Sequence, residues 1–326
     1  MGCFVVAPCP YKELMTNNAS SHILMVRPIR FGMNAQTAVD NFYQNQEAAN
    51  GASDQERALA EFERFAATLT ANGVNVHVLE DTPEPHTPDS IFPNNWISMH
   101  SDGTVVLYPM KAENRRLERR EEIFQIMKEW GFIKEKLIDL TALEEEGVFL
   151  EGTGSIVFDH DQHIAYLARS QRADEKAFVS LCGQLKYTPV VFSAFQDTLT
   201  GPQPIYHTNV LMCMTNTYAL ICLDTIHDAS ERAAVVRAIK DSGKGILEIT
   251  KEQKIQFAGN MLLVKGAMDQ LFLVMSGSAY RALTPQQVAR IELDHKIIYS
   301  DLPTIETLGG GSARCMLAEI YLPQKS

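Results

Sequence analysis

Short runs of apolar, largely β-branched residues alternate along this chain with longer stretches whose apolar positions recur every three or four residues. The runs at 23–26, 74–79, 104–108, 155–158, 163–167, 210–214, 218–222, 261–264 and 270–275 are bounded by Gly, Pro or Asp and read as strands. Two connections, Ser101-Asp102-Gly103 and Thr215-Asn216-Thr217, read as hairpin turns. Helical spacing covers 52–72 (Leu59, Phe62, Phe65, Leu69) and 115–130 (Leu117, Ile123, Ile126, Met127, Trp130). It recurs at 229–242 and 285–299, and more weakly at 170–183. Glycines at 73, 131 and 243 stop three of these helices.

The order of elements carries more than any one of them. A strand–helix–strand unit runs to residue 80, and hairpin–helix–strand units follow near 91–138, 150–191, 207–249 and 260–299. The segment 314–321 is expected to complete the last unit. No residue-level repeat accompanies this recurrence, and the period is too long for the common solenoids. The pattern predicts one α/β domain over 1–326, five similar units about an axis, with 1–19 as an irregular N-terminal extension. No Pro/Gly/Ser-rich linker divides the 326 residues.

Charge narrows the function. The net charge of −11 speaks against nucleic acid, and the one basic stretch, Arg115-Arg116-Leu117-Glu118-Arg119-Arg120, runs straight into Glu121 and Glu122. No apolar run reaches the roughly 18–20 residues of a membrane span. The N-terminus lacks a basic n-region, and Val6 stands where a myristoylation motif needs Ser or Thr. Six scattered cysteines without a C-x-x-C pair read as reduced thiols, so a cytoplasmic protein is expected. Homo-oligomerisation is left open.

Candidate chemistry gathers at four places. Gly309-Gly310-Gly311-Ser312-Ala313-Arg314-Cys315-Met316 sets a cysteine where a tight glycine loop meets an apolar strand. A buried inert thiol is the competing reading. A thiolate nucleophile needs a base and a group to orient that base. Of nine histidines, His207 opens a strand directly after a Pro/Gly-rich loop, which is where catalytic groups are commonly mounted. Glu151 precedes a Gly-x-Gly turn. Pro88-Asp89-Ser90-Ile91-Phe92-Pro93-Asn94-Asn95-Trp96 packs polar side chains between two prolines and a strand. No H-x-x-x-H or paired Cys/His spacing suggests a metal.

Taken in order, these motifs resemble the guanidino-group-modifying (pentein) superfamily of arginine deiminases, dimethylarginine dimethylaminohydrolases and amidinotransferases, most of all its citrulline-utilisation hydrolase group. The loop at 309–316 is similar to the nucleophile motif of arginine deiminases. The stretch 88–96, with Tyr108-Pro109-Met110 and Arg115-Arg116, is similar to the substrate loop of dimethylarginine hydrolases. Glu151-Gly152, His207 and Ala258-Gly259-Asn260 fall where the superfamily keeps its Glu-Gly, its histidine and an Asn turn. The resemblance implies a five-bladed α/β propeller with pseudo-fivefold symmetry, a small amino-acid substrate and no cofactor. It implies Cys315 as nucleophile, His207 as acid and base, Glu151 as its orienting partner and Asp89 as a substrate ligand. Phe92, Asn94, Asn95 and Asn209 are expected beside the substrate, Arg115, Arg116 or Arg119 against its carboxylate, and Arg314 against the carboxylate or the thiolate.

The departures bear on the substrate. Asn94 and Asn95 replace acidic residues of the dimethylarginine hydrolases, and Asn209 and Gly154 replace aspartates of the deiminases. A guanidinium in a dry pocket wants carboxylates around it. A ureido group is neutral, and an amide offers it both donor and acceptor. Citrulline is therefore favoured as substrate. Arginine deiminase and dimethylarginine hydrolase remain open, as do an amidinotransferase and a non-catalytic amino-acid-binding relative.

Overall fold

The computed structural model describes residues 16–45, 52–198 and 201–325. Residues 1–15, with Cys3 and Cys9, lie outside them. Residues 16–19 carry no regular element and are anchored to the body of the protein. Asn18 is buried and donates to Asp159 and Asp161, and Ser20 bridges to Val264.

Among the described residues the strands form five three-stranded sheets and one two-stranded hairpin. The first sheet is built on β1 (His22–Arg27) and β2 (Asn75–Glu80), which run parallel. The second contains β3 (Ile97–Met99), β4 (Thr104–Leu107) and β5 (Lys136–Asp139); the third β6 (Ile156–Asp159), β7 (Ile164–Ala168) and β8 (Thr188–Phe192). A hairpin of β9 (Phe195–Thr198) and β10 (Gly201–Pro204) follows. The fourth sheet contains β11 (Met212–Met214), β12 (Tyr218–Ile221) and β13 (Gly245–Glu248), the fifth β14 (Leu262–Lys265), β15 (Leu271–Ser276) and β16 (Lys296–Ser300). In sheets two to five an antiparallel pair is followed by a parallel third strand. A parallel return needs a crossover. The helices Ala52–Ala71, Ile123–Glu129, Glu175–Leu185, Ala229–Asp241 and Pro285–Glu292 supply one crossover per sheet.

One expectation is corrected here. The C-terminal strand β17 (Ala318–Glu319) does not complete the fifth unit, which already has its three strands. It pairs antiparallel with β1 and supplies the first sheet's missing member. Two helices also differ from expectation. The 115–130 pattern breaks into Glu113–Arg116 and Ile123–Glu129, because Arg115 turns inward onto Glu118 while Leu117 is exposed. The 285–299 pattern ends at Glu292, and Lys296–Ser300 pairs in register with β15.

Strand alternation distributes the core. Ile23 and Met25 of β1 pack with Leu262, Val264 and Val274 of the fifth sheet, whereas Leu24 and Val26 pack with Ile97, Met99 and Val105 of the second. Val106 and Tyr108 join Ile156 and Leu167, and Val157 and Tyr166 join Met212 and Ile221. Cys213 and Leu220 meet Leu273 and Met275. Each cluster thus lies between two consecutive sheets, and one joins the first to the last. Phe62 and Phe65, with no exposed surface, each contribute about 1.5–3 kcal/mol of burial to the cluster under Ala52–Ala71. No helix among the described residues is long and apolar enough to cross a membrane.

Candidate active site

A buried residue sits just before the first strand of each of sheets two to five, and before β17 in the first sheet. A short turn at Pro93–Asn95 precedes β3, one at Gly152–Ser155 precedes β6 and one at Thr208–Val210 precedes β11. The loop ending at Asn260 and Met261 precedes β14, and the turn Ala313–Met316 precedes β17. These five positions deliver Asn95, Glu151, His207, Asn260 and Cys315 to one region.

Cys315 is buried, and its backbone N–H donates to Ser312 O at 3.0 Å. Its Sγ lies 3.3 Å from Asn260 Nδ2 and 3.6 Å from Asn209 Nδ2. The Asn260 amide is fixed by its neighbours. Its oxygen accepts from the Arg314 N–H at 3.0 Å and its nitrogen also donates to Asn209 O at 3.1 Å, so its N–H faces the sulfur. Among the other described thiols, burial pushes Cys182 and Cys213 up to about 12 and Cys222 up to about 11.

His207 Nε2 lies 2.8 Å from Glu151 Oε2, leaving Nδ1 toward Gly154 and Asn95. Burial alone would raise the Glu151 carboxyl, but Arg172 and the bond to His207 hold it well below the usual carboxylate range. The ionised carboxylate accepts, so Nε2 carries the hydrogen. Burial lowers His207 despite Glu151, which keeps the ring neutral with a free lone pair on Nδ1. Glycine is required at both turn positions. Gly152 has φ +42° and a Cβ there would collide with Asn94 O, while a Cβ on Gly154 would collide with Asn95 Nδ2 and come within 2.7 Å of His207 Nδ1.

Asp89 is buried. Its Oδ2 accepts from Asn34 Nδ2 at 2.8 Å and Thr37 Oγ1 at 3.2 Å, and its Oδ1 has no partner. Burial raises its pKa, opposed by Arg115 with Nε 3.8 Å away. Phe92 packs its ring on Gly309 and Gly311. With Asn95, Arg115, Arg172, Tyr206, His207 and Cys315 these residues wall a cavity of about 20 Å³. The segment 34–45 roofs it. Asn41 and Gln44 bond Gly309 O and Asn45 N–H bonds Thr307 O, while Asp40 pairs with Arg172 and with Lys111 at 2.5 Å.

The arginines expected to clamp a carboxylate are placed otherwise. Arg116 bonds Met110 O, Arg119 bonds Tyr108 O, and both face Glu144, outside the cavity. Arg314 turns away from the thiol toward Leu317 O at 2.7 Å and Glu319 at 2.8 Å. Arg115 does reach the cavity, but Glu118, Asn95 and Phe92 O take its donors. Asn94 is wholly buried yet does not line the cavity. Asn209 meets the sulfur. The sequence reasoning missed Arg172, 3.5 Å from Glu151, and Tyr206, whose hydroxyl donates to Gly310 O at 2.7 Å. It also missed Asn34, Thr37 and Glu118. No local pattern marks Arg172, because its partner Asp40 is 132 positions away.

A family model described as N,N dimethylarginine dimethylhydrolase, eukaryotic, matches residues 27–322. The chain belongs to that family. It is therefore a member of the guanidino-group-modifying pentein superfamily. A comparison with curated proteins finds no match. Among solved structures the chain is similar to apo ArgZ, an arginine dihydrolase from the ornithine–ammonia cycle in cyanobacteria. The TM-score is 0.71 at 18% identity over 93% of this chain and 41% of that one. It is also similar to AgrE in complex with ornithine and NAD+, with TM-score 0.69 at 15% identity over 94% and 40%. A Cys-to-Ser variant of dimethylarginine dimethylaminohydrolase (DDAH) from Pseudomonas aeruginosa complexed with citrulline gives 0.64 at 16% identity, over 92% and 99%. This family member thus spans about two-fifths of ArgZ and AgrE, but 99% of the N-terminal domain of ArgZ is covered. These neighbours share its mixed α/β pentein fold.

Proposed function

We propose that the chain hydrolyses a C–N bond of a ureido amino acid, citrulline above all, to ornithine, ammonia and carbon dioxide. The carrying observation is that Cys315, clasped by two amides, shares one buried cavity with Asp89 and with His207, which Glu151 holds. In this reading His207 Nδ1 takes the Cys315 thiol proton as the sulfur attacks the ureido carbon, and returns that proton to the departing ammonia. Water activated by the same ring then cleaves the thiocarbamate. The carbamate released loses carbon dioxide and leaves ornithine. Asp89 Oδ1 accepts from a substrate N–H.

A neutral reacting end is favoured by the amides at the site. Arg115 and Arg172 are already matched by Glu118, Asp89, Asp40 and Glu151. The neutral reading therefore rests on Asn95 in the cavity wall and Asn209 at the sulfur, where a cation would be served by carboxylates. A second reading, hydrolysis of arginine or dimethylarginine, draws on the unpartnered Asp89 Oδ1 and on the arginine bound by a Cys-to-Ala variant of AgrE. An amidinotransferase or a non-catalytic binder has no such observation in its favour.

The ring of clusters between consecutive sheets supports a single five-bladed α/β propeller, with the site at the mouths of the blades. The free thiols Cys182, Cys213, Cys222 and Cys315 suit a cytoplasmic location. The test is ammonia release with citrulline, arginine and dimethylarginine side by side, with Cys315→Ser as control. Activity on citrulline, lost in the variant, is expected. Turnover of arginine with citrulline inert overturns the ureido reading.

A further inference from the structure

We infer that Arg115 selects the chemical class of the substrate by fixing which way round the Asn95 amide sits, an inference that rests on the cavity at Cys315 being the reaction site. Arg115 is buried and held by Glu118, with Nε and Nη2 at 2.8 and 2.9 Å from the two carboxylate oxygens, and by Phe92 O at 3.2 Å. Its Nη1 points at Asn95 Oδ1, 2.7 Å away. A guanidinium has donors and no acceptor. The amide oxygen must therefore face Arg115, since a turned amide would set N–H against N–H in a dry site.

The consequence is a fixed donor. Asn95 Nδ2 is buried without a partner, beside Gly154 and His207 in the wall of the cavity. Asp89 Oδ1, buried and equally unpartnered, is a fixed acceptor in the same wall. One donor and one acceptor match a ureido group, which has a carbonyl oxygen and N–H groups. A guanidinium has no atom to offer Asn95. The donor also gains strength as the ureido oxygen turns into an oxyanion during attack by the thiolate. Arg115 acts through Asn95 and is a positioning residue, and Glu118 steadies it in turn.

The experiment compares kcat/KM for citrulline and arginine in the parent, Arg115→Lys, Arg115→Gln and Asn95→Asp. Citrulline and arginine affinities are measured by calorimetry in the Cys315→Ser background of each. Lysine is also a donor without acceptor, so Arg115→Lys keeps the citrulline-to-arginine ratio even where the rate falls. Glutamine can accept from an amide N–H and lets Asn95 turn, so the ratio drops at least 10-fold. Asn95→Asp keeps the partner of Arg115 but removes the donor, and it lowers the ratio 100-fold or more. A parent that prefers citrulline, with a ratio unmoved by Arg115→Gln and Asn95→Asp, overturns the inference and leaves the ureido reading standing. A Cys315→Ser protein that binds neither amino acid overturns both.

Discussion

Glu151 Oε2 stands 2.8 Å from His207 Nε2, and neither side chain reaches solvent. The contact decides which ring nitrogen is free for proton transfer, because an ionised carboxylate accepts and so fixes the tautomer. In Glu151→Gln the amide can donate to Nε2 and turn the lone pair away from Nδ1. A fall in kcat of roughly 10²–10⁴, with KM little changed, is expected from steady-state kinetics. Unaltered kcat would remove Glu151 from the machinery.

Gly154→Ala tests the close packing of the same corner. The methyl collides with Asn95 Nδ2, and the Asn95 amide cannot swing aside because Arg115 holds its oxygen. Gly154 has no positive φ, so the backbone accepts alanine. The buried clash should lower the melting temperature by several degrees or more and cost at least 100-fold in kcat/KM in the protein that folds. A full loss of folding instead would mean that the corner is structural first.

Much of this was legible in the chain, for reasons particular residues make plain. Phe62, Phe65 and Leu69 announce a helix because the one face they share with Ala58 and Ala66 meets the core, while Leu59 is only half-buried. Ile297 and Ile298 fit a helical period as well as a strand, and only pairing with β15 decides between them. Cys315, His207, Glu151 and Asp89 stood out beside glycines and prolines, which mark the turns that carry them. Arg116 and Arg314 were misplaced because adjacency in sequence says nothing of side-chain direction, and Glu144 and Glu319 are the partners that settle it. Arg172 and the β1–β17 pairing depend on contacts between distant segments, to which local periodicity is blind.

Asn260 shows how a turn residue becomes part of the chemistry. Its N–H is 3.3 Å from Cys315 Sγ, and a sulfur anion in a dry site gains from each such donor. Asn260→Ala removes that donor and also the acceptor of the Arg314 N–H. Alkylation of Cys315 by iodoacetamide at neutral pH should slow about 10-fold or more, with kcat falling in parallel. Asn260→Asp, which keeps the acceptor and sets a negative charge beside the sulfur, should slow it further. Alkylation at the parent rate in both variants would show that the amide does not support the thiolate.

Buried histidines make the fold sensitive to acid. Burial lowers His100 to about 3 and His295 to about 4, where Ser98 and Tyr218 with Asn216 hold them neutral. In the unfolded chain each titrates near 6.5. Between pH 6.5 and 4 the unfolded state therefore binds protons that the folded state refuses, and stability falls as pH falls. The slope is up to about 1.4 kcal/mol per pH unit for each ring and about 3 for these two. Burial also lowers His77, His160 and His207, which steepen it further. Urea midpoints taken from pH 7 to 4.5 should drop with that steepness, and His100→Gln should flatten the slope by roughly one proton's worth. A variant as steep as the parent would mean that His100 is already protonated in the folded protein, or that other groups carry the acid response.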